Sequence, residues 1–134
     1  MAIDQNDQTT SHAFCLQCID GGQKTISQNI SCRLCVDRVD TFSTAGMVKE
    51  IVDKVPEVIK LCKKNIRISV QKHHPKVIVI VAHDQCAGNP VSKDEQIKHL
   101  RQAKKIVASW PEAKGLTILL LFIEKDFKTV REIK

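Results

Sequence analysis

The stretch VIVIVAHDQCAGNP, residues 77–90, decides how the chain is read. Six apolar residues run without a break up to His83. A strand with one wet face alternates apolar and polar residues, whereas an unbroken apolar run of this length suits a strand covered on both faces, as in a parallel sheet. Polarity returns at His83 and Asp84. Cys86 follows, and then the turn-formers Gly88, Asn89 and Pro90. A buried strand that ends on a histidine and a cysteine with two residues between them needs a chemical reason.

The pattern on either side repeats the strand–helix alternation. AFCLQCI (13–19) reads as a buried strand that breaks at Asp20-Gly21-Gly22. KTISQNISCRLC carries Ile26, Ile30 and Leu34 at helical spacing, and VDTFST (39–44) reads as a second strand closed by Ala45-Gly46. Val48, Ile51, Val52 and Val55 mark a helix that Pro56 interrupts; Ile59, Cys62, Ile66, Val70 and His73 continue the stripe until Pro75. Ser92 and Glu95 form a capping-box signature for a helix with apolar Ile97, Leu100, Val107 and Trp110. LTILLLFI (116–123) reads as a fourth strand, and EKDFKTVREIK as a short terminal helix. The expected fold class is α/β: a mostly parallel central sheet of about four strands with helices on both faces. Residues 1–12 are expected to form a flexible tail and residues 13–134 a single α/β metal-binding domain. The chain length suits one domain.

Composition narrows the function classes. Of 134 residues 43% are hydrophobic, but only four Phe and one Trp are aromatic, so the core is aliphatic. The net charge of +6 and the pI near 9.1 raise the question of nucleic acid. The basic stretches KLCKKNIR, KHHPK and KHLRQAKK carry no interleaved aromatic residues, which argues against a stacking platform for single strands. No apolar run reaches the ~18 residues of a transmembrane helix, and the polar N-terminus lacks the order of a secretory signal. The expected location is the cytoplasm, where six cysteines serve as thiols or metal ligands rather than disulfides.

Ligands of parallel sheets gather beyond the carboxyl ends of the strands. Cys18 and His83 end the first and third strands, so adjacent strands would bring them to one rim, with Cys86 in the following turn. Two thiolates and an imidazole suit Zn2+ in tetrahedral geometry, with the fourth position open. A different zinc site is also legible. Cys15-x-x-Cys18 and Cys32-x-x-Cys35 lie thirteen residues apart, near the ~15–20 of a four-cysteine structural site. Against it, Cys15 and Cys18 sit in an apolar strand and Cys32 in a helical segment.

The segments CIDGG (18–22), VDTFSTAGMVKEI (39–51) and HDQCAGNP (83–90) resemble the beta-class carbonic anhydrases, and most closely their small prokaryotic carbonic anhydrase-like branch. The resemblance runs from about Cys18 to Ile123. It implies zinc held by Cys18, His83 and Cys86, Asp20 as the catalytic carboxylate beside the open position, and a homodimer or higher homo-oligomer. The implied activity is that of a lyase, the reversible hydration of carbon dioxide to bicarbonate. The family's Cys-x-Asp-x-Arg pattern places arginine where this chain has Gly22; in the family that arginine pairs with the aspartate and holds it off the metal. Here Asp20 either orients the reacting water or becomes a fourth ligand, and Lys24 is a nearby candidate for the missing base. Gly88 and Asn89 are candidates for a substrate-contacting turn, and His73, His74 and His99 for proton transfer; His73 and His74 also read simply as a helix C-terminus favoured by its dipole. Two other functions compete: a catalytically inactive zinc-binding relative that binds an anion or partner, and a basic nucleic-acid-binding module built on the four-cysteine zinc.

Overall fold

A computed structural model describes residues 10–20, 22 and 25–134. Five strands form one sheet: β1 His12–Gln17, β2 Arg38–Ser43, β3 Val77–His83, β4 Thr117–Ile123 and β5 Val130–Ile133. The helices are α1 Ile26–Leu34, α2 Met47–Val52, α3 Pro56–His73 and α4 Lys93–Ala108, with a 3-10 turn at Pro111–Ala113. The strand order is β2-β1-β3-β4-β5. The first four strands are parallel, and β5 runs antiparallel to β4.

Alternation of side chains splits the core into two layers. Phe14, Leu16, Ile78, Ile80, Ala82, Leu120 and Phe122 pack on one face against Met47 and Ile51 of α2, Cys62 and Ile66 of α3, and Leu100 and Val107 of α4. Ala13, Cys15, Val79, Val81, Leu121 and Ile123 point to the other face, which Ile26 and Ile30 of α1 cover. Both faces of β3 are thus dry, which accounts for its unbroken apolar sequence.

Local signals fix several helix ends. The Ser92 hydroxyl accepts the Glu95 N–H at 3.2 Å and caps α4. Pro56 occupies the first turn of α3, where its missing N–H costs nothing. His74 stops α3 in a left-handed conformation, at φ 52°.

Three expectations need correction. β1 starts at His12, which is buried, and ends at Gln17, so Cys18 lies just past the strand. The sheet has five strands where about four are expected. The terminal segment turns at Asp126, whose carboxylate accepts N–H groups of Lys128 and Thr129 at 2.9 Å and the Thr129 hydroxyl at 2.8 Å. Residues 130–133 then pair with β4 instead of coiling. Val130 and Ile133 are three apart, a spacing that suits a helix locally; the open edge of β4 supplies the backbone partners that decide otherwise. No helix is long and apolar enough to cross a membrane, among the described residues. Residues 1–9 of the expected tail, and Lys24, lie outside the described residues.

Leu100 is fully buried against the sheet. Leu100→Ala should cost about 2–5 kcal/mol in urea unfolding, and loss of the α4 cap in Ser92→Ala about 1 kcal/mol.

Candidate metal centre

The chain leaves β1 toward β2 on one side of the sheet and leaves β3 toward β4 on the other. The connections therefore diverge between β1 and β3, which are neighbours in register Phe14–Ile78 to Leu16–Ile80. A crevice opens at such a switch point beyond the strand carboxyl ends. Cys18 and His83 emerge there.

Cys86 joins them through a tight turn. His83 Nδ1 lies 2.9 Å from its neighbour's carbonyl, Asp84 O; a carbonyl only accepts, so Nδ1 carries the proton and Nε2 the lone pair. The Asp84 N–H donates to Ile123 O at 2.9 Å, and the Asp84 carboxylate accepts the Gln85 N–H at 3.0 Å. Gln85 adopts a left-handed conformation, at φ 55°, which swings Cys86 back toward the strand end.

The result is a buried cluster. Ligand atoms of Cys18, His83 and Cys86 all lie within 4.8 Å of one another, and the two Sγ atoms are 3.8 Å apart. His83 Nε2 is buried and has no hydrogen-bond partner among the described residues. A buried lone pair without a partner is costly, and a metal ion would satisfy it. Burial pushes the Cys86 thiol up, and the neighbouring Cys18 sulfur adds to the rise. The Gly88 and Asn89 N–H groups pull it back. A donor set of two sulfurs and one imidazole, its other nitrogen held by a carbonyl, fits a divalent ion of borderline softness.

Asp20 stands at the edge of the cluster. Its Oδ1 accepts the Gly22 N–H at 2.8 Å, and its Oδ2 lies 4.0 Å from His83 Nε2. The backbone of residue 22 thus engages the carboxylate that the resembled family pairs with an arginine side chain. The space that a side chain at 22 would enter is filled: a Cβ there would meet the Phe127 ring at 2.8 Å. That ring, held in the Asp126 turn, also lies 5.7 Å from the His83 ring. Nothing in the sequence signalled Phe127, because its 105-residue separation from Gly22 closes only in the fold.

Asn89 borders the cluster, and Gly88 stands behind it against α2's leading turn. Gly88 lies backbone to backbone against Gly46, so close that a Cβ on Gly88 would meet the Gly46 N at 2.5 Å. Gly46 itself takes φ 61°. Asn89 is buried; its Nδ2 donates to His99 Nδ1 at 3.0 Å and to Gln96 Oε1 at 3.3 Å, and the Gln96 amide donates back to Asn89 O at 2.7 Å. A cavity of about 10 Å³, room for about one water, lies beside Cys18, His83, Cys86 and Asn89.

The other cysteines stand elsewhere. Cys15 points into the α1-covered layer, where burial alone pushes its thiol well up. Cys62 packs 3.8 Å from Met47 Sδ and is pushed up to about 12. Cys32 and Cys35 are exposed at the end of α1. Among the described residues, the four-cysteine grouping is not assembled. His73 and His74 end α3 beside the start of β1, six residues and so about 20 Å from Cys18. That distance removes them as proton-transfer groups for this cluster, whereas His99 stays adjacent through Asn89.

Comparison with known proteins gives a family and a fold. Residues 8–133 match the family described as "Putative carbonic anhydrase". No curated protein sequence matches significantly. Among solved structures, one from a study of two tetrameric beta-carbonic anhydrases of the filamentous ascomycete Sordaria macrospora is similar with a TM-score of 0.59 and 15% identity, covering 98% of this chain and 84% of the other. The beta-carbonic anhydrase CafA of the fungal pathogen Aspergillus fumigatus gives 0.56 and 15%, covering 95% and 76%. At that identity the two structures speak for the fold.

The Gly46–Gly88 contact has no room for a methyl on either side. Gly88→Ala should cost about 1–3 kcal/mol in thermal or urea unfolding, and should weaken metal retention because the displaced backbone carries Cys86. Unchanged stability with unchanged metal content would contradict the close approach.

Proposed function

The chain belongs to the carbonic anhydrase-like family it matches, and from that premise we propose that it catalyses the reversible hydration of carbon dioxide to bicarbonate, with Zn2+ held by Cys18, His83 and Cys86. The observation that carries the proposal is the buried convergence of two sulfurs with an imidazole nitrogen that has no hydrogen-bond partner among the described residues. Zinc, when bound, supplies a Lewis acid that makes water nucleophilic near neutral pH.

The chain's own residues supply the rest. Asp20 accepts a hydrogen bond from the reacting water and so aims its lone pair; the Gly22 N–H holds the other carboxylate oxygen in place. The small cavity beside the cluster has room for about one water molecule, the size of the reacting nucleophile. Asn89 lines that cavity, pinned by Gln96 and His99, and Gly88 packs against Gly46 on its wall. His99 braces Asn89 by accepting its amide N–H at Nδ1, and the His99 Nε2 lies 3.8 Å from the half-exposed Glu95 carboxylate. The proposal includes assembly into a homodimer or higher homo-oligomer, in keeping with the tetrameric beta-carbonic anhydrases of Sordaria macrospora whose fold the chain shares. A reducing cytoplasm would keep the two site sulfurs available to metal.

Gly22 supports a second reading, a zinc-holding relative without turnover. With the Phe127 ring in the space of the missing side chain, no arginine can be restored there without moving that ring.

Two measurements separate these. Metal analysis of the purified chain should give one tightly held zinc, lost in Cys86→Ala and kept in Cys32→Ala; the opposite pattern rejects the site. Stopped-flow hydration of carbon dioxide should exceed the rate with free zinc, and Asp20→Asn should lower it by about 10²-fold or more with zinc retained. Zinc at full occupancy with no acceleration leaves the inactive relative.

A further inference from the structure

On the rim opposite Cys18 three side chains meet that the chemistry above does not use. His12 opens β1, Asp40 lies on β2, and His73 ends α3. The His12 and His73 rings stack with centroids 3.9 Å apart and planes within 6°. His73 Nδ1 lies 2.7 Å from Asp40 Oδ2, which also accepts the Ser69 hydroxyl at 2.6 Å. We propose that His12, His73 and Asp40 form a second divalent-metal site, separate from the thiolate cluster.

One ligand atom from each of the three lies within 4.8 Å of the others. Ligands of a tetrahedral ion with ~2.0–2.1 Å bonds stand about 3.4 Å apart, so the set closes once a ring turns and His73 Nδ1 gives up its contact with Asp40 Oδ2 or binds through its other nitrogen. His12 Nδ1 is 3.0 Å from Thr10 O, which can only accept; the proton is therefore on Nδ1, and Nε2 keeps its lone pair. A backbone carbonyl behind the ring is the usual support of a metal-binding histidine. Ser69 similarly steadies the carboxylate. Residue types matter as well: two imidazoles and a carboxylate suit Zn2+, Ni2+ or Co2+.

The stack sets a condition. Parallel rings cannot both aim in-plane lone pairs at one point, so binding must turn one ring. An open cavity of about 500 Å³ lies beside them, lined by Thr10, Ser11, His12, His73, His74 and Lys76 among others, and gives room for that turn. His74 on its wall offers a further donor. Lys76 opposes a cation there, so this site should be weaker than the thiolate site.

The proposal does not rest on the carbon dioxide chemistry, and its test removes the thiolate site first. The full chain carrying Cys18→Ser and Cys86→Ser is titrated with Co2+ by calorimetry and absorption. One equivalent should bind, with d–d bands but no sulfur-to-cobalt charge-transfer band, and the His12 and His73 ring resonances should broaden by NMR. Adding His73→Gln, a change at the partly buried end of α3 whose fold is checked by circular dichroism, should weaken binding at least tenfold, as should Asp40→Asn. No Co2+ uptake by the folded double-serine chain overturns the proposal, and so does uptake that His73→Gln and Asp40→Asn leave unchanged.

Discussion

The pairing of β1 with β3 is the constraint on which the rest of the molecule depends. It joins segments more than sixty residues apart and makes them the central pair of the sheet. Because the connections diverge from that pair, helices pack on both faces, and the carboxyl ends of the two strands border a crevice no helix fills. Cys18 and His83 reach the crevice only because both strands run the same way. If β1 paired one residue out of register, Phe14 and Leu16 would trade faces with Ala13 and Cys15, and the aliphatic layers would not close.

Around that pair, short-range devices fix the last ångströms. The turn His83–Cys86 depends on the left-handed Gln85 and on the Asp84 N–H bound to β4. The next turn rests on a backbone-to-backbone contact between Gly46 and Gly88, and on Asn89 clasped by Gln96. Each contact comes from a different element: α2's leading turn, α4 and β4. The cluster is held by the whole α/β layer, which is how a soft pair of sulfurs can be kept together before any ion arrives.

The environment of Asp20 departs most from the resembled pattern. A backbone N–H takes one oxygen of the carboxylate, and an aromatic ring fills the space where a guanidinium would be expected. The ring is carried by the turn into β5, the strand at the sheet's antiparallel edge. Asp126 anchors this turn through three hydrogen bonds, which hold its carboxyl down at about 2. A carboxyl depressed in the folded chain contributes stability above its ordinary value near 4 and loses it as pH falls toward 2. The turn that seats Phe127 is therefore indifferent to pH across the neutral range.

The sequence by itself determined the alternation of strands and helices, the dry character of β3 and the residue types able to hold a metal, because periodicity and side-chain chemistry are local properties. It also carried the capping of α4 and the break at Pro56. Only the tertiary structure decided that β1 and β3 are neighbours, that residues 130–133 form a strand, that the CxxC pairs stay apart, and that Phe127 lies over His83. Those outcomes depend on which backbone edges and apolar faces find partners across the chain, and no window of residues encodes that.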